Sequence, residues 1–220
     1  MRDLPAERTA EVRCARDIKL VLASQSPRRR ELLTTAGFQF SVRVSAVEEV
    51  RAVGEDPEVY ARRLAQEKAE AAWQAGPQSA DEVVLGADTI VVLGDSVLEK
   101  PDGPEGARSM LERLSGREHR VITAVCLRHA GGVTVASEST RVKFAALSAE
   151  EIAEYVATGE PMDKAGAYAI QGRASKFVER IDGCFFNVVG LPLALVYRKL
   201  KKIGQTQRGS QSSILFPSGS

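Results

Sequence analysis

The sequence predicts an α/β domain, on three observations. Short runs of Val, Ile and Leu alternate with helical stretches along the chain. Several of those helices open on proline and close on glycine. The 220 residues suffice for one domain, or two small lobes, with a sizeable core. The longest strand signal, residues 83–94, also holds the most unexpected residue, Asp88. A carboxylate among Val83, Val84, Leu85, Ile90, Val91 and Val92 is costly unless a metal ion, a cation or a raised pKa neutralises it. The run Gly86-Ala87-Asp88-Thr89 predicts a bulge, or a backbone that another element approaches closely. A structural Asp capping a turn between two short strands is the plainer alternative.

The elements follow in order. Residues 1–17 are polar and aperiodic, a flexible arm. Residues 18–23 form a strand that runs into Ser24-Gln25-Ser26-Pro27-Arg28-Arg29-Arg30. Ser26 caps a helix with Pro27 in its first turn, and Gly37 ends it. Residues 38–45 alternate as a second strand and lead to Glu48-Glu49 in a loop. Residues 57–75 are helical, with Ala61, Leu64, Ala65, Ala69 and Ala72 on one face. Lys68 falls inside that stripe, where it either snorkels to solvent or points at something negative. After residues 83–94, a short strand 96–98 delivers Glu99-Lys100-Pro101 into a loop. A helix spans 104–115, and strands 117–130 and 133–145 flank a Gly131-Gly132 turn. Ser148 and Glu151 form a capping box for a helix over 149–158. Residues 177–181 and 184–189 read as strands paired around Asp182-Gly183, and a last helix runs from Pro192 to about 202. The domain organisation is thus an arm, one domain over 18–203 and a disordered Gln/Ser/Gly-rich tail over 204–220.

Composition excludes several classes. A content of 44% apolar and 27% charged residues is that of an ordinary globular protein. A net charge of +1 gives no support for a nucleic-acid binder, even with the basic run at Arg28. Cys14, Cys126 and Cys184 are scattered and odd in number, so neither a zinc site nor a disulfide framework is indicated. A reducing, cytoplasmic setting fits that usage. No run approaches a membrane span, and the N-terminus lacks the apolar core of a secretory signal.

The strand-to-helix junction at Ser24–Arg29 carries one candidate chemistry. N–H groups at a helix start favour anions, the Ser24 and Ser26 hydroxyls add donors, and Arg28 and Arg29 suit phosphate oxygens. Basic residues oppose the dipole there, so the cluster is either an anion site or a solvated basic turn. Glu48 and Asp88 are carboxylates on different segments that could hold a hard divalent cation such as Mg²⁺ or Mn²⁺. Lys68 and Lys100 would neutralise phosphate oxygens, and Asp88 could deprotonate a water. Asp163 and Lys164 read as loop-structuring, and His119 and His129 as surface residues of the hairpin.

Five ordered motifs sharpen this reading: LASQSPRRREL, VLGADTIVVLGDSVLEKP, GREHRVITAV, EPMDKAGAYAIQG and GCFFNVVGLPL. Together, over about residues 18–200, they resemble the Maf family of nucleoside triphosphate pyrophosphatases. The resemblance implies a mixed twisted sheet with flanking helices, related to inosine triphosphate pyrophosphatases, with two lobes around a cleft. It implies hydrolysis of the α–β phosphoanhydride with a divalent cation, and Asp88 as proton acceptor. It places Ser24, Arg28 and Arg29 on the phosphate side, and Glu48, Lys68 and Lys100 among the remaining polar cleft residues. Arg28, Thr89 and Gln171 match the branch that prefers dTTP and UTP, whereas a sister branch acting on 7-methyl-GTP differs at these places. A Gln171 amide offers one donor and one acceptor to a pyrimidine edge, or else it fixes its own loop. The family often dimerises, which makes a homodimer an expectation. Its association with septum formation leaves a non-catalytic nucleotide-binding regulator of cell division as the rival reading.

Overall fold

Seven strands form one twisted sheet in a computed structural model that describes residues 18–44 and 46–212. The first elements are β1 (Lys19–Ala23), α1 (Pro27–Thr35), β2 (Phe40–Val42), α2 (Pro57–Gln74) and β3 (Glu82–Leu93). There follow β4 (Ser96–Leu98), α3 (Pro104–Leu114), β5 (Glu118–His129), β6 (Gly132–Phe144) and α4 (Ala149–Ala157). Three short 3-10 turns, Glu160–Asp163, Ala165–Ala167 and Arg173–Phe177, precede β7 (Val178–Asp182), α5 (Phe185–Val189) and α6 (Leu193–Ser212). The strand order is β2-β1-β3-β5-β6-β7, with β4 also on β3. β1 lies parallel to β2 and β3, and the other pairings are antiparallel. The mixed α/β sheet with flanking helices is therefore as expected.

β3 organises the molecule. It is buried on both faces, so its run of β-branched residues is nearly continuous. Its side chains still alternate strictly. Val84, Ile90 and Val92 pack towards α2 with Tyr60, Leu64 and Trp73. Val83, Leu85, Ala87, Val91 and Leu93 pack on the other face, in the core with Leu33, Leu111, Tyr155 and Val196. The pairing with β5 runs without a slip from Val83↔His129 to Val92↔Arg120, so the bulge that Gly86-Ala87-Asp88-Thr89 suggested is not there. The close approach is. A Cβ on Gly86 would lie 2.2 Å from the Ala65 carbonyl oxygen and 2.7 Å from the Ala69 nitrogen. The alanine stripe of α2 is what lets that helix sit so low on the strand.

The other edge of β3 is shared. β1 pairs with Glu82–Gly86 and β4 with Val91–Leu93. Residues 87–90 have no strand partner on that side, and the sheet opens there. The helix starts are well made where nothing else occupies them. Asp56 caps α2 by accepting from the Glu58 and Val59 N–H groups at 2.8 and 3.1 Å, and the Ser148/Glu151 capping box opens α4.

Several expectations are corrected. β2 is only three residues long, because it is an edge strand paired with Leu20–Leu22 alone, and alternation beyond that register finds no partner. The hairpin turns at Ala130-Gly131, since Gly132 already pairs with His129. Residues 184–189 are not a strand: after β7, which pairs with β6, the chain forms α5. The helix presents Asn187, whose fully buried amide donates to the Val121 carbonyl at 2.9 Å and accepts from the Thr123 N–H at 3.2 Å. His119 is not a surface residue. It is 2% exposed against Phe144 and Tyr168, because its position on β5 faces the core. α6 runs to Ser212, through part of the segment expected to be disordered. The N-terminal arm and residues 213–220 lie outside the described residues. Among the described residues, no helix is long and apolar enough to cross a membrane.

Candidate functional site

The open edge of β3 lies in a cleft of about 700 Å³. α2, the β4–α3 loop, the start of α1 and the turns after α4 also line it. Alternation sends Asp88 to the α2 face and Thr89 to the opposite one. Because the edge is bare at this point, both side chains still reach the cleft.

On the α2 face, the low seat of the helix on Gly86 brings Lys68 over the strand. Its ammonium lies 2.6 Å from Asp88 Oδ1 and 2.6 Å from Glu49 Oε1. Of the two readings of Lys68, the one in which it points at negative charge is the one the chain adopts. Asp88 is only 6% exposed, so the cation meets the requirement that its burial posed. Glu49 also lies 3.6 Å from Lys100 Nζ, on the more exposed rim. Burial pushes the Glu49 carboxyl up, but the Lys68 hydrogen bond and charge, with Lys100 and Arg29, hold it below the usual range.

The carboxylate expected to meet Asp88 was Glu48, and this is corrected. Glu48 is exposed and does not line the cleft, whereas its neighbour Glu49 does. The two lysines draw in one residue of the doublet, and an irregular loop offers no periodicity to say which. Glu99, also missed, lines the cleft and accepts from the Tyr60 hydroxyl at 3.0 Å. Its only signal was adjacency to Lys100. Among the described residues, no group of three His, Cys, Asp or Glu gathers at metal-ligand spacing. Two carboxylates of the cleft, Asp88 and Glu49, share the Lys68 ammonium, and their oxygens are of the donor type that a hard divalent cation takes.

At the other end, α1 begins with Ser26 and Pro27, with no side-chain cap bond and no acidic residue in its first turn. Ser24 Oγ accepts from the Ser26 N–H at 3.2 Å and from Arg29 Nη1 at 3.0 Å, which leaves its hydroxyl hydrogen to donate. Arg28 reaches across the cleft to Asp163 at 3.4 Å, a loose and partly exposed pair. Arg29 behaves otherwise. It is buried, and it donates to Gly190 O at 2.8 Å, Ala87 O at 2.9 Å, Ser24 Oγ at 3.0 Å and Thr89 Oγ1 at 3.0 Å. Four of its five N–H groups are therefore engaged by the protein. Burial lowers its pKa, and the Asp88 charge opposes that.

Thr89 Oγ1 also lies 3.0 Å from Thr123 Oγ1, so its hydroxyl is committed to the protein as well. Gln171 lines the cleft from the far side, exposed, with no protein hydrogen bond to its amide among the described residues. Among the described residues, that amide makes no hydrogen bond that would fix its own loop. Lys164 does structure its turn, donating to Glu160 O at 2.7 Å and Asp163 Oδ1 at 2.5 Å, while both Asp163 and Lys164 line the cleft.

The geometry offers a bare strand edge carrying a carboxylate, two lysines and a second carboxylate beside it, and an uncapped helix start opposite. Residues 19–203 match the family model described as Maf-like protein. The chain is 52% identical over 185 residues to a dTTP/UTP pyrophosphatase of Koribacter versatilis, covering 84% of this chain and 94% of that one. It is 48% identical over 186 residues to a dTTP/UTP pyrophosphatase of a Geobacillus species, covering 84% and 98%. Among solved structures, the Ham1 protein of Staphylococcus aureus is similar over 84% of this chain and 98% of its own, at 12% identity and a TM-score of 0.46.

Proposed function

Since the chain belongs to the Maf family over nearly all of its described residues, we propose that it hydrolyses dTTP and UTP to the monophosphate and pyrophosphate. The observation that carries this reading is the ammonium of Lys68 held 2.6 Å from both Asp88 and Glu49 on an otherwise unpaired strand edge.

In this mechanism the triphosphate lies along the cleft with its charge on the start of α1. The free Ser24 hydroxyl hydrogen, the helix N–H groups and the Arg28 guanidinium bind phosphate oxygens there. Arg28 gives up its loose contact to Asp163 to do so. Arg29 holds Ser24, Ala87 and Thr89 in place from behind. Asp88 Oδ1 is taken by Lys68, and its second oxygen has no protein hydrogen bond among the described residues. That oxygen accepts a proton from water as the water oxygen attacks phosphorus and the α–β bridging bond breaks. Pyrophosphate leaves with the bridging oxygen, and Lys68 and Lys100 offset its charge. Asp88 and Glu49 would hold a divalent cation, which when bound polarises the phosphoryl group and stabilises the leaving oxygens. Gln171 presents its unengaged amide to the O4 and N3–H edge of the base.

A panel of nucleoside triphosphates with Mg²⁺ or Mn²⁺ tests the reading by assaying monophosphate and pyrophosphate. dTTP and UTP should be the best substrates, with 7-methyl-GTP slow. No product from dTTP and UTP would overturn it. Tight nucleotide binding without turnover would favour the non-catalytic regulator instead.

A further inference from the structure

Among the described residues, Gln171 has no side-chain hydrogen bond to hold it, yet it sits on a backbone that is tied at both ends. Residues 169–172 form a turn closed by the Gly172 N–H on the Ala169 carbonyl at 3.0 Å. Before the turn, the Ala169 N–H donates to the Tyr155 hydroxyl at 3.2 Å. After it, the Arg173 N–H donates to both carboxylate oxygens of Glu160, at 3.1 and 3.2 Å. The two ties are themselves joined, because Tyr155 donates its hydroxyl hydrogen to Glu160 Oε1 at 2.8 Å. Tyr155 is 3% exposed on α4 and packs edge-on against Phe177. Glu160 lies just past α4, after Thr158 and Gly159, and is not among the residues lining the cleft. The carboxylate presses so close behind the turn that a Cβ on Gly172 would lie 2.3 Å from Glu160 Oε1. Glycine at 172 thus leaves room for the Glu160 carboxylate to reach the Arg173 N–H.

We propose that Glu160, acting through Tyr155 and the Arg173 N–H, is a positioning residue that fixes the Gln171 turn and so sets base selectivity. The inference rests on the reading of Gln171 as the group that meets the pyrimidine. A carboxylate suits the task because it has acceptor capacity for two N–H contacts and a phenol at once. An amide would turn one donor towards groups that are already donors. The turn would then shift by a fraction of an ångström, and the hydrogen bonds to the base would lose alignment while the phosphate end stayed intact.

The test compares Glu160→Gln and Tyr155→Phe with the wild type. Dissociation constants are measured for α,β-methylene analogues of dTTP and dCTP and for inorganic tripolyphosphate, and kcat and KM for dTTP and for ribose 5-triphosphate, which has no base. Glu160→Gln should lower the dTTP-over-dCTP binding ratio about tenfold and raise KM for dTTP. Tyr155→Phe, the milder variant for folding, should lower the ratio about threefold. Tripolyphosphate binding and ribose 5-triphosphate turnover should stay within about twofold. An equal loss on base-bearing and base-free ligands would overturn the proposal in favour of a general structural role, and so would unchanged ratios in both variants. Gln171→Ala run alongside separates the premise: if it keeps full selectivity, Gln171 does not read the base. Absence of turnover in the wild type would sink the hydrolase reading, while the binding ratios would still decide this one.

Discussion

The two walls of the cleft are built in opposite ways. On one, Asp88, Lys68 and Arg28 project from a long strand and two helices, elements of regular secondary structure. On the other, Gln171 sits among 3-10 turns held by side chains from behind, including Ala167 at a φ of 57°. The first wall is set by regular secondary structure, so each group stands where the period of its element puts it. The second is set by tertiary hydrogen bonds, so its geometry can be adjusted without disturbing the sheet. That division matches the proposed roles. Phosphate chemistry is common to every nucleotide, whereas the base is what distinguishes one nucleotide from another.

The largest expected effect breaks the regular wall. Asp88→Asn should cut kcat about a thousandfold on every nucleotide while Kd for a non-hydrolysable analogue changes little. Unchanged turnover would remove Asp88 as the base. Next, Arg29→Lys tests whether Arg29 belongs to the frame or to the ligand. A lysine cannot span four acceptors fixed by a planar fork, so urea unfolding should show a loss of about 3 kcal/mol. A variant of full stability with weakened tripolyphosphate binding would make Arg29 a phosphate ligand instead.

The turn wall has its own root in His119, whose Nε2 lies 2.8 Å from the Tyr168 hydroxyl, with Nδ1 buried and unpartnered among the described residues. Burial lowers the His119 pKa to about 4. The unfolded chain binds the proton near pH 6.5, so the stability due to this group is full above that pH and is lost as pH falls towards 4. Urea unfolding at pH 7 and pH 5 should differ by about 2 kcal/mol from this residue alone. His119→Phe should abolish that increment, and an equal pH dependence in the variant would refute the assignment. The smallest effect sharpens the carboxylate choice. Glu49→Gln should weaken Mn²⁺ binding and lower kcat/KM about tenfold, while Glu48→Gln stays within about twofold of wild type. Equal effects of the two would remove the distinction made by geometry.

Legibility in the sequence follows the same division. Most strands, the helix starts at Pro27, Pro57 and Ser148, and the cost of burying Asp88 were readable, because periodicity, capping and desolvation act locally. Lys68 within an apolar stripe was a true conflict between levels, resolved by Asp88. Glu49 against Glu48 was not readable, since two equal neighbours in an irregular loop differ only in what lies across the cleft. Neither was the separation of Arg28 from Arg29, which depends on the distant Gly190 carbonyl. α5 was mistaken for a strand because Phe185, Phe186, Val188 and Val189 all favour strands, and one buried amide outweighs that preference.

The strict alternation along β3 makes that strand a counting device. Gly86 and Asp88 share one parity, and Ala87 and Thr89 the other. A deletion of Ala87 would turn the carboxylate towards the Arg29 face and leave Lys68 facing a threonine, and a single insertion between Gly86 and Asp88 would likewise move the carboxylate to the Arg29 face. A two-residue insertion would keep the parity but carry Asp88 about 7 Å along the edge, to the place of Ile90 beside the first rung of β4 and away from Lys68. The stretch from Gly86 to Val91 is therefore constrained in length as well as at Gly86 and Asp88. Libraries aimed at altering this cleft should leave the length of β3 alone and place insertions and deletions in the turns around Gln171.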